Sequence, residues 1–433
     1  GLLGAVALTS CHENSKCQIS TTFIEDQKHP ILLKLVEEAV YSRDNAEVLY
    51  KDGRRYKKTL EQSSLVKAIK FNVRGKIENL EVETEEPKEE DSKVPNGVFI
   101  ATAAVSLNFR DVLNVLGMYP GDPGDPGCEF AGKVVAVGSD VTKYKVGDEV
   151  VGIGIGCLKE YILVTEDMVA LKPSNVSMEE GSTIPIVYCT SLLALEKLAG
   201  LRGGETVLIH SAAGGVGLSA IQYAKRVGAR IVATASAGKH EYLRTLGVEL
   251  ITSSRDADVF KRDMQDRFGL QGKIDVVLNS LSGDFIPFSL EMLAPNGRFL
   301  EIGKRNIWNK EQVEELRVDV AYHVIALDTL ARDEPGRFHS LLSEVCEGFT
   351  GGLWSPLPVK VFDFFTEYRE AFHFLRRGEN IGKVALSINT SFNSVATMKK
   401  VSRYTLGEGS IVITGGLGGL GLLTAKVLVK LGA

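Results

Sequence analysis

Cysteine is sparse in this sequence and never closely paired. The six cysteines, at positions 11, 17, 128, 157, 189 and 346, include no Cys-x-x-Cys step, which argues against a zinc ribbon and fits ordinary thiols in a reducing compartment. Cys11, His12 and Cys17 lie close together, but without a distant second pair they make a poor metal site. Long hydrophobic runs are missing as well. No stretch reaches the ~18 uncharged apolar residues of a transmembrane helix, so no membrane partner is expected. Dense Lys/Arg blocks are also lacking, and 50 basic against 55 acidic residues leave a formal charge of −5, which disfavours a nucleic-acid surface. There is no initiator methionine at Gly1, and the chain stops at Ala433 inside a glycine-rich motif. The sequence therefore reads as cut from something longer.

What is present is globular material. With 433 residues, 44% hydrophobic and 24% charged, the chain can bury two or three cores. Its texture changes along its length. Residues 1 to about 70 mix small residues, a helical stretch "ILLKLVEEAVYS" and the strand-like "EVLYKDGRRYKKTL". Eight acids then crowd between Glu78 and Asp91, which reads as a solvated hairpin loop at a domain edge, with an acidic docking segment as the alternative. From Val98, Gly-punctuated patterns such as "KVVAVGSD" and "VGDEVVGI" predict a β-rich, barrel-like lobe. From Ser191, alternating strand and helix patterns predict a parallel sheet covered on both faces.

The chemistry begins at "TVLIHSAAGGVGLSAIQYAKRVGA", residues 206–229. A continuous apolar run suits a strand buried on both sides, and Val216, Ala220, Ala224 and Val227 follow at helical spacing. Between them, Ser211, Ala212, Ala213, Gly214, Gly215, Val216 and Gly217 form a small-residue loop. Gly214 and Gly217 take the second and third places of the dinucleotide-binding pattern, and Ala212 takes the first. Such a loop lets backbone amides and the positive end of a helix approach a pyrophosphate. The second strand then ends Ala235, Ser236, Ala237. No acid stands there to bind ribose hydroxyls, whereas Lys239 and, after the third strand, Arg255 can reach a 2′-phosphate. NADPH is the expected cofactor, with solvated surface charge as the alternative role for either cation. Farther on, "KIDVVLNSLSGDFIPFSLEMLAPNGRFLEIGK" supplies two more strands. Ligands lie at the carboxyl ends of such strands, which brings Asn279 and Gly303 to the cofactor and Lys304 to the nicotinamide or the substrate.

Together "LNFRDVLNVLGMYPGDPGDPGCEFAG", "HSAAGGVGLSAIQ", "LNSLSG" and "GRFLEIGK" resemble the enoyl reductase domain of type I polyketide and fatty acid synthases, in the medium-chain dehydrogenase/reductase superfamily. The likeness runs from about residue 72 to 390. It implies an α/β fold in two lobes: a GroES-like substrate lobe at 72–190 and 325–390, and a Rossmann lobe for NADPH at 191–324. Zinc alcohol dehydrogenases of that superfamily carry Cys where this chain has Asn108 and His where it has Cys128, so no catalytic metal is expected. The flanks resemble ketoreductase pieces: residues 1–71 the end of its structural subdomain, 391–405 a linker, and 406–433 the start of its catalytic domain. Thr414, Gly415, Gly419 and Gly421 in that tail match a second NADPH motif that stops after one helix. A half-formed nucleotide fold is expected to be inactive alone and to expose apolar surface.

The resemblance implies a substrate as well: an α,β-unsaturated acyl thioester on the phosphopantetheine arm of an acyl carrier protein. Hydride reaches the β-carbon, charge collects on the thioester oxygen, and a proton reaches the α-carbon. The protein must hold ring and alkene together and stabilise the oxyanion. By resemblance, Asn108 lies beside the nicotinamide and ribose. Lys304, braced by Asp328, or Tyr119 or water supplies the proton. Against Lys304, a lysine titrates near about 10.4 and a neighbouring carboxylate raises that value. Against its bracing, the chain continues Lys304, Arg305, Asn306, where the family often has Thr-Asp. Thr190, placed before the helix entering the nucleotide lobe, either seats the cofactor or caps that helix. A homodimer, a cytoplasmic setting and neighbouring synthase domains are implied in the same way. The rival readings are a zinc-free quinone oxidoreductase and a non-catalytic synthase scaffold.

Overall fold

The computed structural model describes residues 66–85 and 94–388, with the backbone of four short strands before them. The chain divides into two units, Gly1–Ser64 with Phe392–Ala433, and Leu65–Ser391. In the first, Thr21–Ile24 and Glu47–Lys51 pair in parallel, flanked antiparallel by Val6–Ala7 and Arg54–Lys58. The expected linker, the second glycine motif and the Cys11–Cys17 cluster lie outside the described residues. Among the described residues, no helix is long and apolar enough to cross a membrane.

In the second unit, one sheet runs in the order Val169–Leu171, Glu149–Ile153, Glu129–Val137, Gly97–Leu107, Lys383–Ser387, Val359–Asp363, and Tyr161–Thr165 also pairs with Gly97–Leu107. This is the expected β-rich lobe. Its last strand comes from far along the chain, with Val384 opposite Leu107 and Ser387 opposite Ala104. The hairpin Val66–Phe71 with Leu80–Glu85 belongs here too, because Ile69 and Leu80 are buried in this lobe's core. The lobe therefore begins near residue 65 rather than at 72, where a short polar-flanked strand gave no boundary signal.

The second sheet is wholly parallel, in the order Leu250–Ser253, Arg230–Ala235, Thr206–Ile209, Ile274–Asn279, Leu293–Glu301, Ala321–Val324. That order reverses direction beside Thr206–Ile209, and there a ligand crevice forms. The apolar run there is continuous because both faces are covered. Val207 and Ile209 face one core with Val276, Leu278 and Leu300, while Leu208 faces the other with Val232, Val277 and Phe299. The first of these cores continues through Tyr188, Leu192 and Phe338 to Ala131 and Val151 of the other sheet. One apolar seam thus joins the lobes and fixes the cleft between them.

Candidate active site

The cleft is a cavity of 1120 Å³ lined by both lobes, which exceeds what a drug-sized ligand needs. At its floor the glycine loop leaves Thr206–Ile209 through His210. Ser211 takes a left-handed conformation at φ 50, at a cost of about 1 kcal/mol. It is held there by its amide, which donates to Thr234 Oγ1 at 3.1 Å. Gly214 caps the helix Gly215–Val227, which ends at the left-handed Gly228. Gly217 cannot be replaced without a shift: a Cβ there would lie 2.5 Å from Ala212 Cα. The glycine therefore brings the helix onto the strand, and Ala212 fills the space beneath, fully buried. Ser211, Ala213, Gly214, Gly215, Val216 and Gly217 line the cavity; Ala212 does not.

At one end of the cavity stand Ser236, Lys239, Ser254, Arg255 and Arg376. Lys239 Nζ donates to the carbonyl of Asn380 at 2.5 Å, and Arg255 reaches the neighbouring turn at Gly378. Among the described residues neither Lys239 nor Arg255 has a carboxylate partner within ion-pair distance. Burial, then the Arg255 charge, pushes the Lys239 pKa down. Two unpaired cations facing each other at a cavity wall call for an anion. Arg376, in the other lobe, has no signal in the sequence to mark it as a site residue, being far along the chain from both Lys239 and Arg255.

Towards the other end lie Asn108, Thr190, Ser280, Gly303, Lys304 and Asp328. Asn108 sits in a buried charged cluster. Its Oδ1 accepts from Lys383 Nζ at 2.7 Å and its Nδ2 donates to Glu129 Oε1 at 2.8 Å. Lys383 and Glu129 pair at 2.8 Å, and Glu129 Oε2 accepts from the Ile186 amide at 2.8 Å. The amide is locked in one orientation, its second N–H donating to Cys128 Sγ at 3.6 Å. Burial raises the Cys128 thiol well above its usual range, so it is a neutral neighbour. Among the described residues no group of three or more His, Cys, Asp or Glu could hold a metal ion.

Three sequence expectations change here. Thr190 does not stand before the helix that enters the nucleotide lobe: it lies inside the last turn of Ile184–Ser191, which runs straight into Leu192–Leu198, so it caps no helix start, though it does reach the cavity. Asn279 is fully buried and off the cavity wall. Its Nδ2 donates to Glu301 Oε2 at 2.6 Å and to the Leu281 carbonyl at 2.8 Å, so it braces the turn that presents Ser280. The Ser280 hydroxyl is itself buried without a partner. Lys304 titrates below, not above, the ordinary lysine value, because burial outweighs the pull of Asp328. Its Nζ donates to the Ile325 carbonyl at 3.2 Å and stands 4.0 Å from Asp328 Oδ1. Tyr119 is off the wall and donates to Asp328 Oδ2 at 3.3 Å.

Behind Lys304, Glu301 is fully buried and accepts from Asn279 and from the Gly303 amide at 2.6 Å. Burial pushes its pKa up to about 7, against those two hydrogen bonds and the Lys304 charge. A carboxyl whose folded pKa exceeds its unfolded value stabilises fully below the unfolded pKa, and that contribution is lost as pH rises through the folded one. Stability should therefore fall by about 3 kcal/mol between pH ~5 and ~8. Urea unfolding across that range checks it. Glu301→Gln should flatten the slope; an equal slope in both proteins would contradict it.

Comparison with known proteins follows the same outline. Residues 94–174 match the family described as alcohol dehydrogenase GroES-like domain, and residues 215–332 that described as zinc-binding dehydrogenase. The spectinabilin polyketide synthase system protein NorB of Streptomyces orinoci is 37% identical over 340 residues, 78% of this chain and 15% of that protein. A phenolphthiocerol/phthiocerol polyketide synthase protein of Mycobacterium tuberculosis is 32% identical over 468 residues, covering 100% of this chain and 21% of that protein. The chain thus spans about a fifth or less of these relatives. Among solved structures, the CurK enoyl reductase is 40% identical with a TM-score of 0.69, covering 75% of this chain and 99% of that one.

Proposed function

Since the chain belongs to the polyketide-synthase enoyl reductases of the medium-chain dehydrogenase/reductase superfamily, we propose that it reduces an α,β-unsaturated acyl thioester with NADPH. A nicotinamide cofactor goes with this family and fold, and the residues present fit one. The loop from Ser211 to Gly217 presents only small residues and backbone to the cavity, and its close packing has no room for a side chain at Gly215, whose Cβ would lie 2.6 Å from Lys383 Cδ. The observation that carries the phosphorylated form is the pair Lys239 and Arg255, with no acid at the end of the second strand and no carboxylate partner for either among the described residues. They would hold the 2′-phosphate, with Ser236 beside them.

When bound, the cofactor supplies a hydride. The chain's own residues do the rest. Asn108, held by Lys383, Glu129 and Cys128, would pack its amide beside the ring. Ser280, with its unpartnered hydroxyl, would accept or donate a further hydrogen bond there. Apolar walls from Leu113, Ile153, Val164 and Met168 would exclude water from the alkene. The proton for the α-carbon comes from the cluster of Lys304, Asp328 and Tyr119. The thioester is carried by an acyl carrier protein, with synthase domains beside it, and residues 1–64 and 406–433 belong to a ketoreductase around the reductase.

Mixing the protein with NADPH and a crotonyl pantetheine thioester, and following absorbance of the reduced cofactor, tests this. Consumption with the thioester but not with a quinone is expected. The reverse pattern would assign quinone reduction, and none with either would assign a scaffold.

A further inference from the structure

Asp328 sits within reach of three side chains and one backbone amide, and the distances rank them. Its Oδ2 takes Arg110 Nη1 at 3.2 Å and the Tyr119 hydroxyl at 3.3 Å, while its Oδ1 takes the Thr329 amide at 3.1 Å and leaves Lys304 at 4.0 Å. Arg110 is fixed from a second side, its guanidinium lying 5.1 Å from the centre of the Tyr119 ring, within the range of a cation–π contact. It projects from the helix Phe109–Val115, its side chain only 18% exposed, into the cavity that Lys304 lines. In the sequence, "NFRD" draws attention to its asparagine, and nothing marks the arginine.

The geometry points to Arg110 as the positioning residue of the reductive centre: it holds the Asp328 carboxylate against Tyr119 and away from Lys304, so that the ammonium faces the cavity without a close counter-ion. This rests on the reading of Lys304 as the neighbour of the reducible bond. A guanidinium keeps its proton at any working pH and is less strongly hydrated than an ammonium, so in a half-buried site it outcompetes Lys304 for the shared carboxylate. Two consequences divide the candidate proton donors. The Tyr119 hydroxyl is committed as a donor to Asp328, and burial raises its pKa, with the Arg110 charge opposing and the Asp328 charge adding. Lys304 uses one N–H on the Ile325 carbonyl and has two left. The charged groups that bear on it are Asp328, which raises its pKa, Arg110, which lowers it, and Glu301, which raises it; burial is the largest influence and lowers it.

A bound nicotinamide would supply the hydride for the new β-carbon–hydrogen bond, and the alkene pair would pass to the α-carbon and thioester oxygen. A Lys304 Nζ–H bond then breaks as the α-carbon–hydrogen bond forms, leaving a neutral amine that regains a proton from water at the cavity mouth. A lysine without a close carboxylate gives up that proton more readily.

Titration of Lys304 itself is the test. The whole chain is reductively methylated with ¹³C-formaldehyde, the Lys304 signal assigned by its absence in Lys304→Arg, and its pKa read by NMR in wild type, Arg110→Gln, Arg110→Lys and Asp328→Asn. Lys304 is expected to titrate below free lysine in the wild type, to rise by about one unit in Arg110→Gln, to return partway in Arg110→Lys, and to fall in Asp328→Asn. The basic limb of the kcat profile should move with it, while KM for the cofactor stays within about twofold. An Arg110→Gln signal that titrates with the wild type overturns the assignment; so does a rise in Asp328→Asn, which is readable even if the arginine variants fail to fold. A shifted signal in proteins that do not reduce the thioester supports the role of Arg110 and counts against the proposed substrate instead.

Discussion

Replacing Lys383 with methionine is expected to destabilise the catalytic unit by about 3–5 kcal/mol, one of the two largest effects anticipated here. Lys383 is 4% exposed and its partner Glu129 is fully buried. Without the ammonium, Glu129 keeps only the Ile186 and Asn108 N–H donors, and an uncompensated buried carboxylate results. Asn108 loses the donor to its Oδ1 at the same time, so its amide is free to flip, and KM for the cofactor should rise. The double variant Lys383→Met, Glu129→Gln should recover most of the loss, because both charges then leave together. Urea unfolding of the single and double variants measures this. A single-variant loss under about 1 kcal/mol would mean that water reaches Glu129 and the pair is not isolated.

The second large effect concerns cofactor choice. Lys239→Gln with Arg255→Gln is expected to raise KM for NADPH roughly 100-fold, from two charge-assisted contacts of about 1.5–3 kcal/mol each, partly offset by water. KM for NADH should stay nearly unchanged and kcat should vary only a few-fold, because the reacting end of the cavity is untouched. Burial and then the Arg255 charge oppose a charged Lys239, so relief of both should leave the ligand-free variant at least as stable as the parent. Steady-state kinetics with both cofactors decides it. Equal losses for NADPH and NADH would place these cations outside phosphate recognition.

Much of this was legible in the sequence because the signals were local. The run "TVLI", the small-residue loop and the helical spacing after it lie within two dozen residues, and the structure keeps them as strand, turn and helix. The absence of an acid after Ala235 was equally local, and so was the position of Lys304 at the end of its strand. What was missed depends on distance along the chain. Lys383 meets Glu129 across 254 residues and Arg110 meets Asp328 across 218, and no spacing rule links such pairs. Asn279 shows a different limit. A motif residue at a strand's end can face the cavity or the core, and only the burial of Glu301 beside it turns its amide inward. Thr190 was misplaced relative to its helix because the change of pattern at Ser191 reads as a new start, whereas Ile184–Ser191 runs on into Leu192–Leu198.

The strand Lys383–Ser387 completes a sheet whose other members, Val359–Asp363 apart, were laid down before residue 172. During synthesis the early strands therefore leave the ribosome with the Ala104–Leu107 end of Gly97–Leu107 open on one side, and that end must wait for more than two hundred residues before its neighbour arrives. The parallel sheet between them can assemble in that interval, since all six of its strands lie within 206–324. Nascent chains are thus expected to hold an ordered nucleotide lobe beside an unfinished partner, and the cleft becomes competent only in the last step of folding.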